Sequence, residues 1–379
     1  MRILTVSHFY ETHGGGIERV AGQLCRELNR LGATVAWAAS DSDRAQSEGV
    51  EAIPLACVNP TEKLTGLPMP IPGLRGYRAL EREIRRSDAV LIHDALYATS
   101  VIAMLIAKRH RKRTILIQHI ASIPFSSPAL RALMKLANRL VTGPMLRSAD
   151  SLVFISDTVR QELLGGLVSR PYELLFNGVD GAIFQPAQGK ASVPEGVGSI
   201  EFPAQSRHVL FVGRYVEKKG LAVLRELASS RPELTFFLVG AGPIQPRDWA
   251  LANVHDLGPR TAHEVADLYR WADLLLLPSV GEGFPLVVQE AMASGLPVIC
   301  GKPTDRADPG ASRWLHGVSI DLTDAGASAR RCANAIDSID LEPAERQAMA
   351  SYAARHYDWA TMARGIIDLA QGGKVATRA

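Results

Sequence analysis

"HVLFVGR", His208–Arg214, is a short run of large apolar residues closed by a glycine and an arginine. A short apolar run without alternation reads as a strand buried on both faces. It decides the fold because the same pattern recurs on both sides of it. Upstream, "RILTVS" (Arg2–Ser7) leads into the helical "IERVAGQLCRELNRLG" and then "TVAWAAS". "AVLIH", "TILIQH", "SLVFIS" and "YELLFNG" follow. Downstream come "LTFFLVGAG", "VHDLG", "ADLLLLPS" and "PVICG", with helical stretches among them. Such alternation implies parallel sheets covered by helices. Residues 181–207 break the pattern, being rich in Gly, Pro, Ala and Ser, and read as a linker. The expectation is an α/β chain of two tandem domains, 1–182 and 183–359, followed by the helical "YDWATMARGIIDLAQ".

Composition agrees with a soluble globular class: 379 residues, 47% hydrophobic and 21% charged. Cys25, Cys57, Cys300 and Cys332 show no C-x-x-C spacing, which argues against a zinc site or a disulfide framework and fits a reducing compartment. The apolar start of "MRILTVSHFY" is too short for a signal peptide, and no run reaches the roughly 20 apolar residues of a spanning helix. A cytoplasmic protein is expected, with possible peripheral contact at the inner face of the cell membrane.

Charge is uneven. Residues 1–185 hold 22 Lys and Arg against 17 Asp and Glu, while Ala95–Ala149 has nine basic residues and no acidic one. Within it, "LRALMKLANRLV" sets Arg131, Lys135 and Arg139 four residues apart. Two readings stand: a surface helix packed on its own domain, or a docking surface for anionic lipid headgroups. Nucleic acid is not expected, since interleaved aromatics and nucleic-acid motifs are lacking.

The residues with chemical potential follow strands, where ligands bind in open parallel sheets. "GGGIERV" (Gly14–Val20) precedes a helix and could admit an anion at its N-terminus or be a tight turn. Arg214 and Lys219 suit a diphosphate, or are solvated surface cations. In "GEGFPLVVQEAMASGLPVI", Gly281–Ile299, Pro285 suits the first helical position, and Glu282 and Glu290 flank the turn and helix start. Glutamates there complement the helix dipole or grip ligand hydroxyls. "DSD", Asp41–Asp43, reads as a solvated turn, and no metal site is expected.

The chain resembles, over nearly its whole length, the family-4 retaining glycosyltransferases of the GT-B fold. "EGFPLVVQE" matches the family's Glu-x7-Glu motif, and "AMASGLPVI", "GGIERV", "NGVD", "GRYVEKKG", "LVGAGP", "ISDTVR" and "YDWATMA" match further segments. The resemblance implies two Rossmann-like domains facing each other across a deep cleft. The first binds acceptor and is joined by the C-terminal helix, about 360–379; the second binds the nucleotide-sugar donor. It implies that Glu290 holds the donor ribose, and that Glu282 contacts the sugar with the amides of Gly283, Phe284 and Leu286 around Pro285. Arg214 and Lys219 then stabilise the leaving diphosphate, and His119 and the loop glycines Gly15 and Gly16 lie near the donor. The implied reaction retains configuration, moves a hexose from a UDP- or GDP-sugar to a saccharide or lipid-linked acceptor, and needs neither metal nor cofactor. The implied setting is bacterial polysaccharide or lipopolysaccharide assembly. A non-catalytic sugar-nucleotide binder and a GT-B-fold epimerase or phosphorylase are the alternatives.

Overall fold

The computed structural model describes residues 1–43, 49–59, 69–121, 128–165, 170–187, 189, 192–198, 200–203 and 205–373, without the side chains of 128–131 and 133. The chain divides into two units, Met1–Gly178 with Trp359–Ala379, and Val179–Asp358.

In the first unit the strands are β1 (Arg2–Val6), β2 (Thr34–Ser40), β3 (Glu51–Leu55), β4 (Cys57–Val58), β5 (Ile71–Pro72), β6 (Ala89–His93), β7 (Arg113–Gln118), β8 (Ser151–Phe154) and β9 (Glu173–Leu174). Seven of them form one sheet, ordered β3-β2-β1-β6-β7-β8-β9. Every pairing in it is parallel. β4 and β5 pair antiparallel as a separate ribbon. All five residues of β6 are buried, as are the last five of β7. That explains their unbroken apolar runs: helices cover both faces of the sheet.

The first helix, Gly16–Arg30, buries Val20, Ala21, Leu24, Cys25 and Leu28, the stripe its spacing prescribes. The helix Trp359–Ala370 lies against it and against β7. Its first residue explains a glycine in "NGVD". A Cβ on Gly178 would stand 2.2 Å from the Trp359 ring, so only glycine fits.

In the second unit the strands are β10 (His208–Val212), β11 (Thr235–Val239), β12 (Val254–Gly258), β13 (Leu274–Leu277), β14 (Val298–Gly301) and β15 (Leu315–Val318). Their order is β12-β11-β10-β13-β14-β15, again parallel throughout. β11, β13 and β14 are buried along their whole length. Removing one such side chain, as in Leu275→Ala, leaves a cavity and costs about 2–5 kcal/mol.

Both sheets therefore reverse direction of build-up beside their first strand. In the first unit the reversal lies between β1 and β6, and in the second between β10 and β13. Ligands of open α/β sheets bind outside the carboxyl ends of strands at such a reversal. All four cysteines are free thiols. Among the described residues no helix is long and apolar enough to cross a membrane.

Candidate functional site

The second unit carries the larger set of candidate residues. β10 runs out through Gly213 into a loop holding Arg214, and a short 3-10 turn, Glu217–Lys219, follows. Three backbone bonds tie this loop to its neighbours: Gly213 N–H to Val239 O at 2.9 Å, Tyr215 N–H to Ala241 O at 2.8 Å and Ile244 N–H to Tyr215 O at 3.1 Å. The glycines of "VGAG" make that contact possible. A Cβ on Gly240, whose φ is +150°, would stand 1.9 Å from Gly213 O, and one on Gly242 would stand 2.4 Å from Tyr215 O. The turn after β11 thus seats the Arg214 loop. The space beside these glycines is filled by the backbone of the Gly213–Tyr215 loop. Tyr215 is anchored in turn by its hydroxyl, which donates to Asp256 Oδ1 at 2.8 Å.

The loop leaving β13 comes alongside. Val280 N–H donates to Lys218 O at 2.9 Å. Gly220, at φ +77°, has Pro278 O 2.1 Å from where a Cβ would be. These contacts bring the two lysines to Glu282, with Lys219 Nζ 3.2 Å and Lys218 Nζ 3.7 Å from its Oε1. Lys219 and Glu282 are 13% and 14% exposed, so solvent screens this pair little. Burial pulls the Lys219 ammonium below its ordinary pKa; Glu282 opposes the shift, and Lys218 and Arg214 add to it. Arg214 itself is exposed, and no carboxylate pairs with it among the described residues.

Phe284 is buried and meets Tyr357 edge to face at 5.4 Å. Pro285 is the N-cap of the helix Leu286–Ala293, extended at φ −62° and ψ 137°, one position earlier than its sequence reading. Its trans-extended shape turns the chain into the helix, and Gln289 Nε2 donates to Phe284 O at 3.1 Å, closing the turn from within. The Val288 amide donates to Pro285 O at 3.1 Å, which leaves the amides of Leu286 and Val287 without an acceptor inside the helix. Glu290 lies one turn further along, and its Oε2 accepts from the Tyr269 hydroxyl at 3.3 Å. Tyr269 is buried, and burial, then the Glu290 charge and hydrogen bond, raise its pKa well above the ordinary value.

Glu282 and Glu290 therefore have different partners. One faces lysine ammonium groups, the other a phenol held by the helix Ala262–Trp271. That helix begins with a capping box, Thr261 with Glu264, and Arg260 pairs with Glu264 at 2.9 Å.

In the first unit the glycine loop is occupied from within. Gly15 is the N-cap of Gly16–Arg30. The Glu18 carboxylate folds back so far that a Cβ on Gly15 would lie 2.0 Å from Oε2. Glu18 Oε1 is 2.9 Å from His8 Nε2, and His8 stacks on Tyr97 with ring centroids 3.6 Å apart. Burial raises the Glu18 pKa, but the His8 hydrogen bond and charge outweigh it and the net shift is downward. The negative group at this helix terminus is the protein's own. Around Gly16, by contrast, a Cβ would have nothing within 4 Å.

His119 follows β7 and is buried. Its Nε2 is 2.9 Å from His93 Nδ1, and its backbone N–H donates to Asp94 Oδ1 at 2.8 Å. Burial, then His8, pushes His93 down to about 3. His119 is also well below the ordinary histidine value, through burial and then His93 and His8. Burial pushes Asp94 up to about 7, against the amides of His119 and Ile120. Asp94 holds φ +57°, an uncommon value for a non-glycine residue. His8 Nδ1, His93 Nε2 and Asp94 Oδ2 are buried with no hydrogen-bond partner among the described residues. His8, Glu18, His93 and Asp94 did not stand out as a group in the sequence. The available signal was a histidine at or just past the end of each of the two buried strands at the sheet's reversal, His8 after β1 and His93 closing β6.

Two other expectations fall elsewhere. Asp43 of "DSD" pairs with His13 at 3.2 Å, and Asp41 Oδ1 accepts from Cys57 N–H. Among the described residues no group of three His, Cys, Asp or Glu could hold a metal ion. In the basic segment 95–149 the α-helix Pro128–Ala137 gives way to a wider turn, Asn138–Thr142, so Lys135 and Arg139 do not share one regular helix. Lys135 and Arg139 are exposed, as are Leu136 and Leu140 at 51% and 63%. The side chains of Arg131, Leu130 and Leu133 lie outside the described residues.

Comparison with known proteins finds glycosyltransferase models along the chain. Residues 14–182 match the Glycosyltransferase Family 4 model, and residues 206–337 match the Glycosyl transferases group 1 model. A D-inositol 3-phosphate glycosyltransferase of Kineococcus radiotolerans is 31% identical over 254 residues, 59% of this chain and 58% of the relative. The putative colanic acid biosynthesis glycosyltransferase WcaL of Escherichia coli is 31% identical over 194 residues, 45% of this chain and 44% of that one. The chain thus spans about half the length of the curated relatives it matches. Among solved structures, Anabaena HepE in complex with UDP has a TM-score of 0.71 at 16% identity, covering 98% of this chain and 100% of that one. Two glycosyltransferase models therefore match this chain one after the other, at 14–182 and 206–337, on a GT-B fold.

Proposed function

We propose that the protein is a retaining glycosyltransferase that moves a hexose from a UDP- or GDP-sugar to a saccharide or lipid-linked acceptor. The observation that carries this reading is the convergence at the β10/β13 reversal: Lys218 and Lys219, from the loop that also carries Arg214, meet Glu282 from the other loop. Three cations and an open helix N-terminus suit a diphosphate leaving group, whose charge grows as the glycosidic bond breaks. The helix amides after Pro285 bind one part of the donor, and Glu290 accepts hydrogen bonds from the ribose diol. With these cations in place the diphosphate needs no metal. HepE, which shares the fold, is solved with UDP and with UDP-glucose.

Glu282, held by lysine, is suited to accept hydrogen bonds from sugar hydroxyls and so to orient the sugar. Retention then proceeds by front-face attack, the leaving phosphate taking the acceptor's proton. The name of the Escherichia coli relative, putative colanic acid biosynthesis glycosyltransferase WcaL, supports a place in cell-surface polysaccharide assembly.

The test is proton NMR of the protein with single UDP- and GDP-hexoses, first without and then with candidate saccharide acceptors. Slow release of nucleoside diphosphate without acceptor, and a product keeping the donor's anomeric configuration, support the reading. Binding with no turnover of any donor favours the non-catalytic alternative, and an inverted product overturns retention.

A further inference from the structure

The helix Leu74–Arg86, "LRGYRALEREIRR", buries Gly76, Leu80, Glu83 and Ile84 against the first unit. Its other side carries Arg75, Arg78, Arg82, Arg85 and Arg86, all exposed. Leu74, Arg78, Arg82 and Arg85 follow one another at helical spacing, a stripe roughly 16 Å long. Arg78, Glu81, Arg82, Arg85 and Arg86 line a surface cavity of about 460 Å³.

The charge of this face is not balanced from within. Glu83 is buried and shared by three guanidinium groups, Arg2, Arg82 and Arg86, at 3.1, 3.1 and 3.2 Å. Glu81 is engaged by His110 Nε2 at 2.8 Å. Arg75, Arg78 and Arg85 have no ion pair among the described residues. The His110 bond also brings a second basic group alongside, the turn after the helix Ala98–Arg109, where Arg109 and Arg111 are exposed.

At the N-terminal end the stripe turns apolar. Leu74 is 67% exposed, and Val58 and Ile71, paired across the β4/β5 ribbon, are 62% and 38% exposed. Gly73 N–H to Ala56 O, 2.9 Å, ties the ribbon to the helix start. Large apolar side chains held in water beside a row of arginines fit a surface that offers both anionic headgroups and acyl chains. Arginine forks match phosphate oxygens two at a time. A soluble polyanion would use the arginines and leave the apolar tip in water.

We propose that this face, the arginine stripe of Leu74–Arg86 with the Arg109–Arg111 turn and the Val58, Ile71 and Leu74 tip, docks the first unit onto an anionic phospholipid membrane. The basic segment 95–149 then contributes through its 109–111 turn, while the 128–142 stretch offers only two described exposed cations. The inference does not depend on the reaction proposed above.

The experiment is co-sedimentation of the full chain with phosphatidylglycerol/phosphatidylcholine vesicles and with phosphatidylcholine alone. Wild type is compared with Arg78→Ser/Arg82→Ser/Arg85→Ser, Leu74→Ser, Lys135→Ser/Arg139→Ser and a charge control, Arg225→Ser/Arg330→Ser/Arg355→Ser. Melting curves show that each variant is folded; surface changes of this kind alter stability little. Expected is binding to anionic vesicles only, weakened by salt. The arginine triple variant should lose roughly two orders of magnitude in partition, Leu74→Ser should lose severalfold, and the other two variants should bind as wild type. The proposal is overturned if wild type ignores anionic vesicles while binding heparin or polyphosphate. It is equally overturned if the Lys135/Arg139 or charge-control variant loses as much as the Arg78/Arg82/Arg85 variant.

Discussion

Lys219 Nζ stands 3.2 Å from Glu282 Oε1 and joins a residue leaving β10 to one leaving β13. Between those two strands the sheet order reverses. The pair links the cationic loop to the loop that opens the helix Leu286–Ala293. Two partly buried charges so placed hold each other, and each is costly alone.

Either single change, Lys219→Met or Glu282→Gln, is expected to destabilise the protein by about 1–3 kcal/mol. The double variant should lose less than the sum, with a coupling of about 1–3 kcal/mol. Urea unfolding of the four proteins measures it, and strict additivity would mean that the contact has no energetic weight.

Tyr269 fixes one oxygen of Glu290 through a 3.3 Å hydrogen bond. Tyr269→Phe keeps the ring in its buried place and removes only that bond. Nucleotide affinity should fall about fivefold, the equivalent of about 1 kcal/mol. Calorimetric titration with the preferred nucleoside diphosphate reads it; unchanged affinity would show that Glu290 is oriented without the phenol.

Gly240 has φ +150° and abuts Gly213 O. Gly240→Ala should cost more than about 1 kcal/mol, since both the backbone angle and the space refuse a Cβ. Because the displaced segment carries Arg214, donor affinity should fall with stability. A control at Gly16, where a Cβ meets nothing within 4 Å, should be far milder.

The buried histidines make stability depend on pH. Burial lowers the pKa of His93 to about 3, and His119 shifts the same way. The unfolded chain therefore takes up protons that the folded chain refuses, so their contribution is lost as pH falls below about 6.5. Asp94, raised to about 7, acts oppositely: its folded form keeps a proton that the unfolded chain releases, and stability falls as pH rises from about 4 to 7. Denaturation between pH 4 and 8 should show a steeper loss on acidification for Asp94→Asn than for wild type. A shallower loss is expected for His93→Gln. Identical profiles would place these groups in solvent.

The strands were legible because parallel sheets bury both faces, and "AVLIH" and "ADLLLLPS" carry that burial as unbroken apolar runs. Residues just after strands, such as Arg214, Lys219 and Glu282, could be picked out because polar side chains at strand ends stand apart from an apolar background. Pairings across the chain were not legible. Tyr269 and Glu290 meet through two packed helices, and neither helix carries a local sign of the other. Gly15 looked available to an anion, yet Glu18, three residues on, fills its space. No periodicity reveals that the Gly213–Tyr215 backbone sits against the VGAG glycines.

The central claim is a nucleoside diphosphate site built on the helix Leu286–Ala293 and the Arg214–Lys219 loop. Thermal unfolding with a panel of nucleoside diphosphates and their sugars, in wild type and Glu290→Gln, tests it most directly. A ligand bound only by the folded state must raise the melting temperature. The expected result is a rise with the diphosphate of one base, largely lost in Glu290→Gln. No rise with any of them, or an equal rise in the variant, would contradict the claim.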